Sequence, residues 1–323
     1  MIRILHISDL HFGPHYQPRA GEALQRIAVE LDPEIIVASG DFTQRAKPKQ
    51  FAEAAEYLAR LPDVPRVVVP GNHDVPLYRV RERIFEPYSL YRKYISQQLE
   101  GELRVNGAVI VALNTTNPLR AIVNGRIRPD HLERCRRAFE AAPSDAVRIV
   151  VAHHHFAPAP DYEGGKVMPR AKEALDAFGE LGVDLILGGH LHRAYIGNSL
   201  DVYPGGHREH GIIIVQAGTA TSRRGRARER EKNTFNMVRV SEDTVRITHY
   251  MYFDEMDGFA PFSRHIFPRA KQRYFRDVSA EAAAGPARRI THIQPAPARP
   301  DEPRHPPSGN DGTVAHEYGN AVR

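Results

Sequence analysis

The sequence predicts a layered α/β fold. Short β-branched runs alternate with segments of amphipathic helical period as far as Leu187, and a polar residue able to bind a metal follows directly after several of those runs. Beyond Leu187 the apolar runs follow one another with little room for helices, which predicts consecutive antiparallel strands.

The chain starts into a strand at Ile2–Ser8, and later strands are expected at Ile35–Ala38, Val67–Val69, Val109–Leu113, Ile149–Ala152 and Leu185–Leu187. Helices are expected between most of them, at roughly Ala20 to Leu31, Lys49 to Arg60, Tyr78 to Leu99, Asp130 to Ala141 and Pro169 to Leu181. In the third helix Val80, Ile84, Tyr88, Tyr91, Ile95 and Leu99 recur at helical spacing and read as a core stripe, with Pro87 marking a break. The runs Ile212–Val215, Phe235–Val240 and Val245–Tyr250 suggest a second sheet packed on the first. From Val278 onward Ala, Pro, Arg and Gly dominate, a composition that buries too little apolar surface to offset its ordering entropy. The expected organisation is a catalytic domain at 1–268, a connecting segment at 269–277 and a disordered Pro/Ala/Arg-rich tail at 278–323.

A hydrophobic share of 41% supports a substantial core, and the formal charge of +5 suits an anionic partner as well as a solvated basic surface. The single cysteine, Cys135, excludes an intrachain disulfide. No apolar run approaches the roughly 18 residues of a membrane span, and the start lacks a signal-peptide pattern, so the expected location is cytoplasmic. No feature sets an oligomeric state, and a homodimer is compatible with the sequence.

The residues after the strands carry the chemistry. They are Asp9-Leu10-His11, Gly40-Asp41, Gly71-Asn72-His73-Asp74, His153-His154-His155 and Gly189-His190-Leu191-His192. Asp9 and His11, separated by one residue, are expected on one side of an extended segment, and His190 and His192 repeat that spacing. Asp41 has two oxygens and can bridge two ions, while Asn72 offers a neutral carbonyl oxygen. Hard oxygen mixed with imidazole suits Mn, Fe, Zn or Co better than Ca or a thiolate-type zinc site. His6 reads as a strand residue, and His15, His207 and His210 as loop residues.

The order D-x-H, G-D, G-N-H-D, H-H and G-H-x-H resembles the calcineurin-like metallophosphoesterase superfamily, most of all its bacterial cyclic-AMP phosphodiesterase-like branch, class III. The resemblance implies a four-layer fold, two mixed β-sheets packed as a sandwich and flanked by helices. It gives Asp9, His11 and His192 to one ion, Asn72, His190 and a histidine of the triple run to the other, and Asp41 to both. Aligning the family's histidine pair with the residues before Phe156, where the family often has proline, makes that ligand His154, with His153 as the alternative. It implies a phosphodiesterase that works by attack of hydroxide held between the ions, with His73 stabilising the transition state or protonating the leaving oxygen and Asp74 orienting His73.

The expected substrate is a small phosphodiester such as a cyclic nucleotide. Phe42-Thr43-Gln44 after Asp41, in place of the D-R-G of serine/threonine protein phosphatases, lowers the phosphoprotein option. The alternatives are a pyrophosphatase of a lipid-linked diphosphate, a nuclease, or a scaffold that uses the fold to bind proteins. The basic run Ser222–Lys232 reads first as a solvated loop near the site mouth. Nucleic-acid contact is the weaker reading, because the run has acids and no interleaved aromatics.

Overall fold

The protein is described here by a computed structural model covering residues 1–105, 107–119, 124–159, 166–202, 211–226 and 229–269. All of these fall within one unit, Met1–Val278. The expected tail, the connecting segment beyond 269, His207, His210, Ala227 and Arg228 lie outside the described residues.

Strands β1 (Ile2–Ile7), β2 (Ile35–Ala38) and β3 (Arg66–Val68) are parallel neighbours, separated by α1 (Pro18–Leu31) and α2 (Pro48–Ala59). After α3 (Val80–Phe85) and α4 (Ser89–Tyr94), β4 (Gly101–Val105) pairs antiparallel with β5 (Ala108–Leu113). Then β5, β6 (Val147–Ala152), β7 (Leu185–Gly188) and β9 (Ile213–Gln216) run parallel, with α5 (Pro129–Glu140) and α6 (Ala171–Glu180) as crossovers. A hairpin-like β8 (Tyr195–Asn198) caps β9 at the edge, followed by the short α7 (Ser199–Val202). The chain then returns as β10 (Thr234–Val240), β11 (Thr244–Phe253) and β12 (Gly258–Pro268), all antiparallel and added beside β1.

Two mixed six-stranded sheets result, in the orders β12-β11-β10-β1-β2-β3 and β4-β5-β6-β7-β9-β8. Side-chain alternation sorts their residues into layers. Ile4, Val37 and Val67 of the first sheet pack against Ile110, Ile149 and Leu187 of the second between the sheets. Leu5, Ile7 and Ile36 face α1 and α2, with Leu24, Phe51 and Leu58. On the opposite outer face Val109, Val111, Val150 and Ile186 meet Phe139 of α5 and Phe178 of α6. The expected four-layer α/β/β/α sandwich is present.

Two expectations about its parts differ. The late strands do not build the second sheet: β10 to β12 extend the first one, because β10 pairs along β1, and β9 joins the parallel strands of the other. The Tyr78–Leu99 segment breaks at Pro87 as expected, since proline removes a backbone donor, but its apolar stripe is not continuous. Only its second half carries the core stripe: Tyr91 is buried, whereas Val80 and Ile84 are exposed.

Candidate metal centre

The C-terminal ends of β1, β2, β3, β6 and β7 converge along one edge of the two-sheet sandwich, where open parallel sheets place their sites. Asp9 and His11 follow β1, Asp41 follows β2, Asn72 opens a single 3-10 turn after β3, His153 follows β6, and His190 and His192 follow β7. Backbone here is not extended: Asp9, His11, Asp41, His190 and His192 all have positive φ, between 50° and 75°. Non-glycine residues in this region cost energy and persist where surrounding structure holds them, a common mark of a functional site. The same-side geometry expected of Asp9 and His11 therefore arises from left-handed turns rather than from strand pleat.

The holding bonds are visible. Asp9 N donates to Gly40 O at 3.0 Å and His11 N to Asp41 O at 3.0 Å, which tie the first two loops together. His190 N donates to Asp9 Oδ2 at 2.9 Å, which docks the last loop on the first. Close packing requires glycine at two points: a Cβ at Gly71 would lie 2.2 Å from Asp41 Oδ1, and one at Gly189 would lie 1.9 Å from Ser8 Oγ.

The donors form two groups that meet at one carboxylate. In the first, Asp9 Oδ1 lies 3.1 Å from His192 Nε2 and 3.6 Å from His11 Nε2, and the two Nε2 atoms are 2.9 Å apart. In the second, Asn72 Oδ1 lies 3.1 Å from His153 Nε2 and 2.9 Å from His190 Nδ1. Asp41 Oδ2 stands between them, 3.7 Å from His11 Nε2 and 3.4 Å from His153 Nε2.

Chemistry explains why these atoms fit metal ions. His192 Nδ1 is 3.0 Å from Arg224 O and His153 Nδ1 is 2.7 Å from Ser39 O, so each ring donates outward and turns an Nε2 lone pair inward. Those lone pairs face Asp9 Oδ1 and Asp41 Oδ2, two buried carboxylate oxygens that receive no hydrogen bond. Acceptors facing acceptors in a buried space need positive charge between them. The electrostatics agree: burial by itself would raise Asp9, but the imidazoles of His192 and His11 outweigh it and hold the carboxyl well below its usual range. Burial lowers His11 to about 3, leaving a neutral ring able to donate a lone pair. At His153 burial also pulls downward, yet Asp41 outweighs it and raises the ring to about 9, so without a cation the cluster draws in a proton instead.

Two sequence expectations need restating. His154, expected to face Asn72, points its Nδ1 to Thr115 Oγ1 at 2.8 Å, and it is His153 that reaches both Asn72 and Asp41. Donor atoms of His153, His154 and His190 nevertheless all lie within 4.8 Å of one another, so His154 stays within reach of the second group. His154 still lies beside His190, with ring centroids 4.7 Å apart. Asp74 does not orient His73. Its carboxylate accepts from Gly71 N, Phe42 N and Thr43 N at 2.9, 3.2 and 2.9 Å and so pins the β2 loop to the Asn72 turn. Burial and the Asp41 charge raise this carboxyl to about 7 against those donors. The His73 ring is oriented by Gln44 instead, with Nδ1 2.9 Å from its carbonyl oxygen.

Sequence reasoning missed Gln44 and passed over Arg224, whose Nη1 lies 2.9 Å from His73 Nε2. The only signal for Arg224 was the basic run that contains it.

A buried two-group centre of carboxylate, imidazole and amide at the strand ends of a four-layer sandwich defines a dinuclear-metal class of protein. Residues 2–194 match the model of the calcineurin-like phosphoesterase family, and the chain belongs to that family. It is 27% identical over 194 residues to an uncharacterized metallophosphoesterase of Aquifex aeolicus, an alignment covering 59% of this chain and 63% of that relative. Among solved structures it resembles the purple acid phosphatase PPD1 of yellow lupin (Lupinus luteus), with a TM-score of 0.63, 14% identity, and coverage of 90% of this chain and 57% of the other. It also resembles a dimetal phosphatase of Danio rerio, with a TM-score of 0.59, 10% identity, and coverage of 83% and 99%. No helix among the described residues is long and apolar enough to cross a membrane.

Proposed function

We propose that the chain is a dinuclear-metal phosphoesterase that hydrolyses small phosphodiesters, cyclic nucleotides among them. The observation that carries this reading is the position of Asp41 Oδ2, within 3.7 Å of His11 Nε2 and within 3.4 Å of His153 Nε2, where one oxygen serves two donor groups. Asp9, His11 and His192 would hold one ion, and Asn72, His153 and His190 the other, with Asp41 shared. His153 is favoured over His154 in this group because its Nε2 lies close to both Asn72 and Asp41. This mixture of oxygen and nitrogen donors suits Mn, Fe, Zn or Co.

Bound ions would lower the pKa of water and neutralise charge on a phosphoryl oxygen. The chain's own residues do the rest. Ser39 O and Arg224 O fix the ring orientation of His153 and His192. The peptide N–H of His73 donates to Asp41 Oδ1 at 2.7 Å and leaves Oδ2 to face the donors. His73 sits at the site edge-on to His11, centroids 4.9 Å apart, with both ring nitrogens engaged elsewhere, which supports a non-ligand role.

The test is a metal-dependent assay of the full chain with an aryl phosphodiester and an aryl phosphomonoester, before and after chelation and Mn reloading. Faster hydrolysis of the diester supports the proposal. Preference for the monoester overturns the diester assignment, and hydrolysis of neither overturns the small-phosphodiester reading in favour of a binding scaffold or a pyrophosphatase of a lipid-linked diphosphate.

A further inference from the structure

Arg224 is held to the centre by both its backbone and its side chain. Its carbonyl oxygen lies 3.0 Å from His192 Nδ1, and its Nη1 lies 2.9 Å from His73 Nε2 and 3.2 Å from Gln44 Oε1. The segment around it is fastened to the first loop: Ala220 N donates to Ser8 O at 3.0 Å, Thr221 Oγ1 to Leu10 O at 2.9 Å, Arg223 N to His15 O at 2.9 Å, and Arg226 N to His192 O at 2.9 Å. This part of the basic run is a built wall of the site, not a solvated loop.

The hydrogen-bond directions have a chemical consequence. A guanidinium only donates, so His73 Nε2 must accept from Arg224 and carry a lone pair. The His73 proton then sits on Nδ1 and goes to Gln44 O at 2.9 Å. In this arrangement His73 offers no proton toward an incoming oxygen. What the pair presents is the guanidinium. Its Nε and Nη2 take no hydrogen-bond partner among the described residues, and those two form an edge of the fork that binds a pair of phosphate oxygens.

We propose that Arg224 is a catalytic residue that binds the nonbridging oxygens of the substrate's reacting phosphoryl group, with His73 and Gln44 as positioning residues that aim its guanidinium. This rests on the phosphoesterase reading above. Arg224 would add fixed positive charge where charge develops, beside the donor groups rather than among them.

The experiment compares full-length wild type, Arg224→Ala and Arg224→Lys, each loaded with Mn and checked for metal content and thermal midpoint. Affinity for tungstate, a phosphate-shaped oxyanion, is measured by titration calorimetry, and hydrolysis of the aryl diester is measured with and without added guanidinium. Arg224→Ala is expected to keep its metals and midpoint, to lose roughly 100-fold or more in kcat/KM and to bind tungstate more weakly. Guanidinium should restore part of the rate, and Lys should recover less than the native Arg because it cannot bind two oxygens in parallel. Unchanged tungstate affinity and turnover in Arg224→Ala would overturn the assignment. So would joint loss of metal and thermal stability without guanidinium rescue, since that outcome makes Arg224 a structural clamp. If wild type binds tungstate through Arg224 but cleaves no ester, the anion site stands and the phosphoesterase reading fails. If wild type does neither, both fail.

Discussion

Oδ1 of Asp41 accepts the backbone N–H of His73 at 2.7 Å. That bond fixes the carboxylate so that Oδ2 faces both donor groups, and it couples the β2 loop to the turn that carries Asn72. Asp41→Asn can keep the His73 contact through its amide oxygen but loses the shared negative charge. The expected result is a chain with a near-native urea midpoint that retains far less metal after desalting and has little turnover. Native metal content in Asp41→Asn would contradict a bridging role.

His153 and His154 separate cleanly by experiment. His153→Ala should weaken metal retention by more than the roughly 10–100-fold typical of losing an outer hydrogen-bond partner, since it removes a donor facing Asn72 and Asp41. His154→Ala, which removes a ring bonded to Thr115 Oγ1, should retain metal close to wild type. Metal analysis of the two purified variants checks this, and the reverse ranking would return the ligand role to His154.

Gly71 has ordinary backbone angles with φ −100°, so its constraint is space alone. A methyl there meets Asp41 Oδ1 at 2.2 Å and Asp41 N at 2.3 Å. Gly71→Ala is expected to cost about 1–3 kcal/mol through forced displacement and to move Asp41 off its shared position. Denaturant melts and metal content should fall together, and loss of neither would show that the β2 loop yields easily.

Glu229 anchors the segment after Arg224 from below. It is 2% exposed and accepts from Arg193 Nη1 at 3.2 Å, Ala194 N at 2.9 Å and Thr234 Oγ1 at 2.9 Å. Glu229→Ala removes one partner of a buried ion pair and should destabilise by about 3–5 kcal/mol, with Glu229→Gln intermediate because its amide oxygen keeps part of the network. Urea unfolding of both variants provides the measurement.

Glu100 should make stability fall in acid. Its side chain is 14% exposed, and although burial pushes the carboxyl upward, His131 and Arg128 outweigh that and hold it below its usual range. Because the folded value is the lower one, the contribution is fully present above the ordinary glutamate value and is lost as pH falls through the depressed one. Glu100→Gln should therefore be less stable than wild type at neutral pH, by about 1–3 kcal/mol, and the gap should close at strongly acidic pH. A gap that widens in acid would refute the ion-pair account.

Much of the fold was legible because period is a local property. The runs at Ile35–Ala38 and Val109–Leu113 announce buried strands, and the helices between such runs keep one apolar face each. The short strand Gly101–Val105, half-exposed and rich in charge, and the edge strand Tyr195–Asn198 carry no such pattern; pairing with β5 and β9 creates them. Sheet membership was likewise beyond reach, since β10 lies beside β1 across more than 200 residues of chain, with His6 paired to Asn236.

By itself the sequence supplied a candidate donor set: Asp9, His11, Asp41, Asn72, His190 and His192 follow apolar runs, and their mix of oxygen and imidazole suits hard and borderline metals, because residue type sets which ions a donor can hold. Only the tertiary structure brought His153 to Asn72 and Asp41 and His154 to Thr115, turned Asp74 from the His73 ring to the backbone of the β2 loop, and brought Arg224 to His73 from 151 residues away. These are matters of direction and distance between loops, and they follow from how the two sheets pack rather than from any local run of residues.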